Sequence, residues 1–200
     1  MSPVTRGFHG KRREAEGGRV PPGQYVTEDF PVLSAGPTPH TKEEDWTFSV
    51  RRGGKEQKSW TWTELQKLPV EQVTADIHCV TRWSKLDTRW QAVSIETLLE
   101  QVRTDAKYVL AFCDGGYTTN LPVADVTGGQ AWLAFGYDGK PLAPEHGGPV
   151  RLLVPHLYFW KSAKWVRGLD LLDSDEPGFW ETYGYHMYGD PWQEQRYAGD

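Results

Sequence analysis

The chain has 200 residues, enough for one domain to bury a real core without a disulfide or a structural metal. Its net charge is -5, and its basic residues are scattered apart from Lys11-Arg12-Arg13, a cluster that reads as solvated. Nucleic-acid binding therefore has no electrostatic basis, and no apolar run is long enough for a membrane span. Ten Trp, nine Tyr and seven Phe raise the apolar area of a chain that is only 38% hydrophobic, while 21 Gly and 14 Pro favour turns over long helices.

Residues 1–24 are basic and then glycine-rich, with nothing to bury, and are expected to form a flexible tail ahead of a domain spanning 25–200. The twin arginine Arg12-Arg13 is followed by polar EAEGGRVPPGQ, without the apolar stretch of an export signal, so a cytoplasmic protein is expected. Two cysteines, Cys79 and Cys113, are too few for a secreted disulfide scaffold and read most simply as free thiols. Residues 25–45 form a proline-rich arm in which Phe30 to Leu33 can dock on a core.

Trp46 to Arg51 alternates as a strand, with Trp46, Phe48 and Val50 on one face, and RRGGK turns it into a second strand at Ser59–Trp62. Thr63 to Leu68 fits a short helix ended by Pro69. The β-branched run Val73 to Val80 predicts a strand that delivers His78 and Cys79 at its end. Ser94 is a good N-cap for a helix carrying Ile95, Leu98, Leu99 and Val102. Lys107–Phe112, Thr118–Leu121, Ala131–Gly136, Val150–Pro155 and Trp165–Leu172 read as strands, the fourth of them the strongest, with a Tyr137-Asp138-Gly139-Lys140 turn between the third and fourth. The tail after Asp173 is dense in aromatics. There are no repeats. With β dominant and helices short, the expected class is α+β, mixed and β-rich, in a single domain.

Four segments could carry chemistry. Cys79, in HCVTRWS, stands at a strand end beside Arg82, which could lower its pKa and make its thiolate a nucleophile or a soft-metal ligand; a buried structural cysteine is the alternative. His78 lacks the second Cys/His pair that a zinc site needs. Arg151 interrupts an otherwise apolar strand, so its guanidinium meets a carboxylate, the sheet edge or an anion. Ser162-Ala163-Lys164 offers a hydroxyl, backbone N–H groups and a cation within one turn, a possible phosphate seat. His146 precedes Gly147-Gly148, where a backbone can approach a ligand closely. No Walker loop, GxGxxG, HExxH or GxSxG is present, so nucleotide-dependent and hydrolase chemistry have no anchor.

Over residues 25 to 197 the order of these segments resembles the sulfite-oxidase superfamily of molybdopterin enzymes. The family pattern G-x-x-L-x-x-x-H/N-G-x-P-V/I-R-L-x-V-P, followed by Ser-x-Lys, binds the pterin phosphate. It is met here by Gly139, Leu142, His146, Gly147, Pro149, Val150, Arg151, Leu152, Val154, Pro155, Ser162 and Lys164. The resemblance implies the β-rich sulfite-oxidase molybdopterin-binding fold and a mononucleotide-free Mo-molybdopterin with one molybdenum ion. It implies Cys79 as the metal ligand and His146, Arg151, Ser162, Ala163 and Lys164 as the cofactor cradle. Asp114 falls near a cofactor-contacting position, and the arm at Asp29, Phe30, Val32 and Leu33 covers the cofactor. The segment C-V-T-R-W-S, Trp90 and the FWETYGYH tail are similar to bacterial methionine-sulfoxide-reductase catalytic subunits. Sulfite oxidases instead place a Tyr where Phe135 stands.

The chemistry so implied is oxo transfer, with Arg82 steering a polar substrate or stabilising charge on oxygen. Reduction of a small-molecule S-oxide or N-oxide is the first expectation. Oxidation of a sulfite-like oxyanion and a non-catalytic molybdopterin-binding role are the alternatives. No C-x-x-C-H haem motif occurs, so electrons are expected from a separate partner. The sulfite oxidases' C-terminal dimerisation domain is missing, which implies a monomer.

Overall fold

A computed structural model describes residues 12–13, 18–102 and 104–200. In chain order the strands are β1 (Arg12–Arg13), β2 (Tyr25–Thr27), β3 (Thr47–Arg52), β4 (Lys55–Thr61), β5 (Glu71–His78), β6 (Trp83–Ser94), β7 (Tyr108–Cys113), β8 (Thr118–Pro122), β9 (Trp132–Tyr137), β10 (Lys140–Pro141), β11 (Arg151–Leu153) and β12 (Val166–Leu172). The helices are α1 (Trp62–Leu65), α2 (Ile95–Leu99) and α3 (Phe179–Thr182), none longer than five residues, joined by single 3-10 turns. Thr61 and Glu64 close a capping box on α1, and Ser94 accepts from Glu96 N–H to cap α2.

Five strands form one sheet in the order β4-β3-β12-β7-β8, with β12 parallel to β3 and every other pairing antiparallel. The seven-stranded sheet is built around β6. The long hairpin partner β5 lines one edge of β6, and β2 and β9 share the other. Beyond β9 lie β10 and β11, at opposite ends of that strand.

Alternation along β9 and β11 explains the layering. Leu133 and Phe135, with Val150, Leu152 and Val154, point into the main core between the sheets, where Trp46, Phe48 and Val50 also pack. Ala134 and Leu153 face the other way, into a second apolar cluster with Ile77, Cys79, Trp83, Trp90, Ala92 and Leu142. The larger sheet therefore buries both faces. The arm of residues 28–45 covers the second one through Phe30, whose ring contacts Trp83, Trp90, Tyr137 and Phe159 at centroid distances of 5.0 to 6.4 Å.

Three elements differ from expectation. β6 runs for twelve residues through charged sequence, WSKLDTRWQAVS, that carries no continuous apolar signal. A register shift between Ala75 and Ile77, opposite Asp87 at φ 54°, changes its alternation midway; Trp83 and Trp90, of opposite parity, thus reach the same cluster. β11 is only three residues long, because Pro149 and Pro155 bracket it. The tail after Asp173 contains α3, which the sequence pattern does not announce.

The expectation of a flexible tail over 1–24 falls on residues outside the described set for 1–11 and 14–17. From Gly18 onward, Arg19 holds Asp76 at 2.6 Å and Asp87 at 2.7 Å, and Gln24 donates to Cys79 O at 3.0 Å. The charge and amide in this segment give it partners on the β5–β6 hairpin. Both cysteines are free thiols, and among the described residues no helix is long and apolar enough to cross a membrane.

A buried ion pair anchors the tail. Lys161 and Glu181, both fully buried side chains, lie 2.7 Å apart. Lys161 Nζ also donates to Asn120 O, Asn120 Oδ1 and Met187 O, and Glu181 Oε1 accepts from Thr119 and Trp160. Lys161→Met leaves Glu181 a buried charge without its cation, so the unfolding free energy in a urea titration is expected to drop by about 3–5 kcal/mol. A loss below about 1 kcal/mol would show that other contacts hold the tail.

Candidate functional site

Cys79 lies in the loop that closes the β5–β6 hairpin. Its N–H donates to Trp83 O at 2.8 Å, and its carbonyl accepts the N–H of Arg82 at 2.9 Å. Val80 and Thr81 form the turn, and Arg82 follows at φ 76°, the left-handed position that a three-residue hairpin loop requires. Glycine usually stands at such a position; here the Tyr25 N–H holds the Arg82 carbonyl at 2.9 Å. The Cys79 side chain is buried, 7% exposed, with Sγ 3.1 Å from Thr81 Oγ1.

Burial pushes the Cys79 thiol above its ordinary pKa; Thr81 and the charges of Arg196 and Lys164 act in the opposite direction and do not prevail. This corrects the expectation that Arg82 lowers it. The Arg82 side chain points outward and is exposed, so the cations that act on the sulfur come from elsewhere in the chain.

The second half of the site is a cradle between the two sheets. β11 and residues 162–166 run side by side: Leu152 N–H donates to Ala163 O at 2.8 Å, Val154 N–H to Ser162 Oγ at 2.8 Å, and Val166 N–H to Val150 O at 3.1 Å. Gly147, at φ 107°, closes one end; a Cβ there would stand 3.0 Å from Lys164 Cα and 3.1 Å from Arg151 Cβ, a contact that only glycine avoids. Arg151 is 1% exposed on the face of β11 that looks toward the second cluster. Its guanidinium donates to His146 O at 2.7 Å and Ser162 O at 2.6 Å, and stacks 4.1 Å from the Phe159 ring. Among the described residues no carboxylate pairs with it, and burial lowers its pKa to about 9. Of the three fates the sequence left open for Arg151, neither a salt bridge nor the sheet edge is realised.

Lys164 reaches Leu33 O at 2.8 Å and Glu145 O at 2.6 Å, and burial together with Arg151 lowers it to about 8. His146 is stacked under Phe30 at 4.0 Å and 12°, and its Nδ1 is buried without a hydrogen-bond partner. Burial, Arg151 and Lys164 all keep this imidazole neutral. A buried guanidinium and a half-buried ammonium with no carboxylate paired to either among the described residues, an orphaned imidazole nitrogen and a glycine at the approach suit an anionic group with polar edges, such as a pterin phosphate.

The structure brings His146, Arg151, Ser162, Ala163 and Lys164 together, and places Cys79 close enough to Lys164 for each to shift the other's ionisation. Asp114 borders this group: its N–H donates to Trp165 O, and its carboxylate takes a 2.7 Å hydrogen bond from Thr41 of the arm. Asp29 is exposed, with its N–H on Thr27 Oγ1, and the side chains of Val32 (51%) and Leu33 (45%) point outward, so this part of the arm presents backbone rather than side chains to the cradle. Phe135 faces the main core against Trp62; the tyrosine of that strand that reaches the second cluster is Tyr137.

Sequence reasoning missed four residues: Gln24, Tyr158, Phe159 and Arg196. Gln24 was assigned to the tail. Tyr158 and Phe159 gave no periodic signal, and Arg196 is one charge in a polar C-terminus whose importance depends on long-range contacts.

This fold and this pairing of a buried thiol with a carboxylate-free cation cradle define a molybdopterin-binding oxidoreductase. The chain belongs to the oxidoreductase molybdopterin binding domain family, whose profile matches residues 35–180. It is 44% identical to the uncharacterized oxidoreductase YuiH of Bacillus subtilis, over 96% of this chain and all of that protein. It is 33% identical to a putative protein-methionine-sulfoxide reductase subunit YedZ1 of Azospira oryzae (84% of this chain, 66% of that one). It is also 28% identical to the protein-methionine-sulfoxide reductase catalytic subunit MsrP of Burkholderia mallei (72% of this chain, 49% of that one). The chain thus spans the whole of the first relative and about half of the last. Its fold is similar to that of the sulfane dehydrogenase SoxCD from Paracoccus pantotrophus, with a TM-score of 0.62 at 20% identity over 82% of this chain and 51% of that one.

An anion in the cradle favours charged Lys164, so affinity should be full below the lysine's pKa of about 8 and weaken as pH rises through it. Sulfate, whose own charge is constant over this range, is the probe: calorimetric titration of cofactor-free protein should show this decline, and Lys164→Arg should flatten it. A flat profile in the parent protein would remove Lys164 from the anion's contacts.

Proposed function

We propose that this protein is a molybdenum-dependent reductase of a small S-oxide or N-oxide, with the Cys79 thiolate as its protein ligand to molybdenum. The observation that carries this reading is that Cys79 lies in the cluster capped by Phe30, the ring that also stacks on His146: a thiol and an anion seat under one cover. The relatives named as methionine-sulfoxide reductase subunits support the S-oxide class.

Mo-molybdopterin, in its mononucleotide-free form with one metal ion, supplies oxygen-atom transfer coupled to a two-electron change. The residues of this chain do the rest. Arg151, Lys164 and the Ser162 hydroxyl, whose own proton is free to be donated, hold the phosphate end. His146 Nδ1 meets a polar edge of the ring system. Cys79 would hold the metal through its sulfur, and a metal ion there would favour the thiolate against the burial that raises the thiol. Phe30, Trp83, Trp90 and Phe159 keep water from the buried side. Arg82, exposed on the same loop as Cys79, offers donors to the substrate oxygen. Reduction of an S-oxide to a sulfide consumes two electrons and two protons and releases water. We assign the electrons to a separate donor protein, since the sequence carries no haem-attachment motif and the similar proteins are named as subunits.

Cys79→Ala is expected to abolish turnover with reduced viologen and methionine sulfoxide, whereas Cys113→Ala, within the main core, should retain wild-type chemistry. Wild-type turnover in Cys79→Ala refutes the ligand assignment, and turnover of sulfite with ferricyanide instead of the S-oxide overturns the direction of the reaction.

Arg82→Gly separates backbone from side chain. Glycine adopts the left-handed conformation freely, so stability should hold or rise by about 1 kcal/mol while KM for the S-oxide rises. Unchanged KM and kcat would take Arg82 out of substrate binding.

A further inference from the structure

Arg196 is a buried guanidinium, 7% exposed, only four residues from the end of the chain. The reaction as proposed above gives it no role, yet it touches three segments far apart in sequence. Its Nη1 donates to Val80 O at 2.8 Å, inside the Cys79 loop, and its Nη2 reaches Pro22 O at 3.4 Å in the N-terminal segment. Its guanidinium carbon lies 5.0 Å over the ring of Tyr158, which directly precedes the turn leading to Ser162. Glu194, at 3.6 Å and half-exposed, is its carboxylate partner.

The loop it holds is closed by two backbone hydrogen bonds of its own, Cys79 N–H to Trp83 O and Arg82 N–H to Cys79 O, and is otherwise held from outside. Val80, Thr81 and Arg82 form a three-residue turn with a non-glycine residue at φ 76°. Among the described residues, the external hydrogen bonds to the carbonyls of residues 79–82 come from the other two segments: Gln24 Nε2 to Cys79 O, Arg196 Nη1 to Val80 O, and Tyr25 N–H to Arg82 O. Gln24 and Tyr25 follow Pro22 with only Gly23 between, so one guanidinium ties the donor segment and the acceptor loop to each other. A planar fork bridges the two carbonyls from separate nitrogens, Nη1 and Nη2, while its face lies over Tyr158; an ammonium has three donors but all on one atom, so it reproduces neither that spacing nor the planar contact with the ring.

We propose that Arg196 is the positioning residue of the Cys79 loop, fixing where the sulfur stands by clamping Val80 O and Pro22 O together. The proposal rests on Cys79 being the metal ligand, and its test is read separately from that assignment. Outer contacts that orient a ligand typically change metal affinity or activity by about 10–100-fold when removed.

The test compares purified cofactor-loaded Arg196→Gln, Arg196→Lys and Glu194→Gln with the parent enzyme. The readouts are the thiolate-to-molybdenum absorption band, the molybdenum-to-protein ratio, and KM and kcat for methionine sulfoxide. Arg196→Gln is expected to displace or weaken the band and lower kcat at least about tenfold, with KM changed by less than about threefold. Arg196→Lys should recover only part of kcat, and Glu194→Gln, which spares both carbonyl contacts, should leave band and kcat as in the parent. A parental band and kcat in Arg196→Gln overturn the proposal, as does full recovery of both in Arg196→Lys should the glutamine variant fail to fold. A lower melting temperature with band and kcat unchanged gives Arg196 a structural role alone and also overturns it. Absence of the band in the parent enzyme speaks against Cys79 as ligand and leaves the Arg196 variants to be judged by kcat.

Discussion

The buried guanidinium of Arg151 is the interaction on which the site depends. It opens β11 with no carboxylate paired to it among the described residues, and it donates to the carbonyls of His146 and Ser162. Those two residues end the loops on either side of the strand, so a single side chain sets the distance across the cradle. Charge-assisted hydrogen bonds to carbonyls contribute about 1.5–3 kcal/mol each but do not neutralise the charge. The desolvation cost that remains appears as the lowered pKa of Arg151; Lys164 and His146 are lowered first by their own burial and then by the Arg151 charge. Such a site is poised for an anion, because an anion removes a penalty that the protein alone carries.

Burial of both faces of the seven-stranded sheet creates the room for this chemistry. One face meets the five-stranded sheet. The other must be covered by something, and the arm does so with one aromatic ring, Phe30, stacked on His146 and surrounded by Trp83, Trp90, Tyr137 and Phe159. The arm then returns through Leu33 O on Lys164 and Thr41 on Asp114. Its cover is thus apolar at one end and hydrogen-bonded at the other, and with Val32 and Leu33 turned outward that stretch meets Lys164 through backbone.

At Cys79 burial and charge oppose one another. Desolvation raises the thiol, while Thr81 and the cations Arg196 and Lys164 favour the thiolate without outweighing burial. A bound metal ion would tip that balance, whereas a free thiol in this setting stays protonated. The tail contributes to both parts of the site: Arg196 holds the cysteine loop, and the Lys161–Glu181 pair fastens the turn before Ser162 to α3.

Much of this was legible in the chain. Alternation marked β3, β7 and β9, Ser94 announced α2, and the run from Gly139 to Pro155 with Ser162 and Lys164 marked the cradle, because turn glycines, prolines and strand periodicity are local properties. β6 was not legible, since a bulge reverses its alternation and its charged residues face solvent. Neither was the environment of Cys79: its neighbour in sequence, Arg82, points outward, while the cations that act on it come from 85 and 117 residues further along. Sequence by itself determined which residue types were available and which segments turn or extend. Tertiary structure alone decided which charges meet the sulfur and which buried cation lacks a carboxylate, because electrostatics depends on distance and burial, and neither follows from order along the chain.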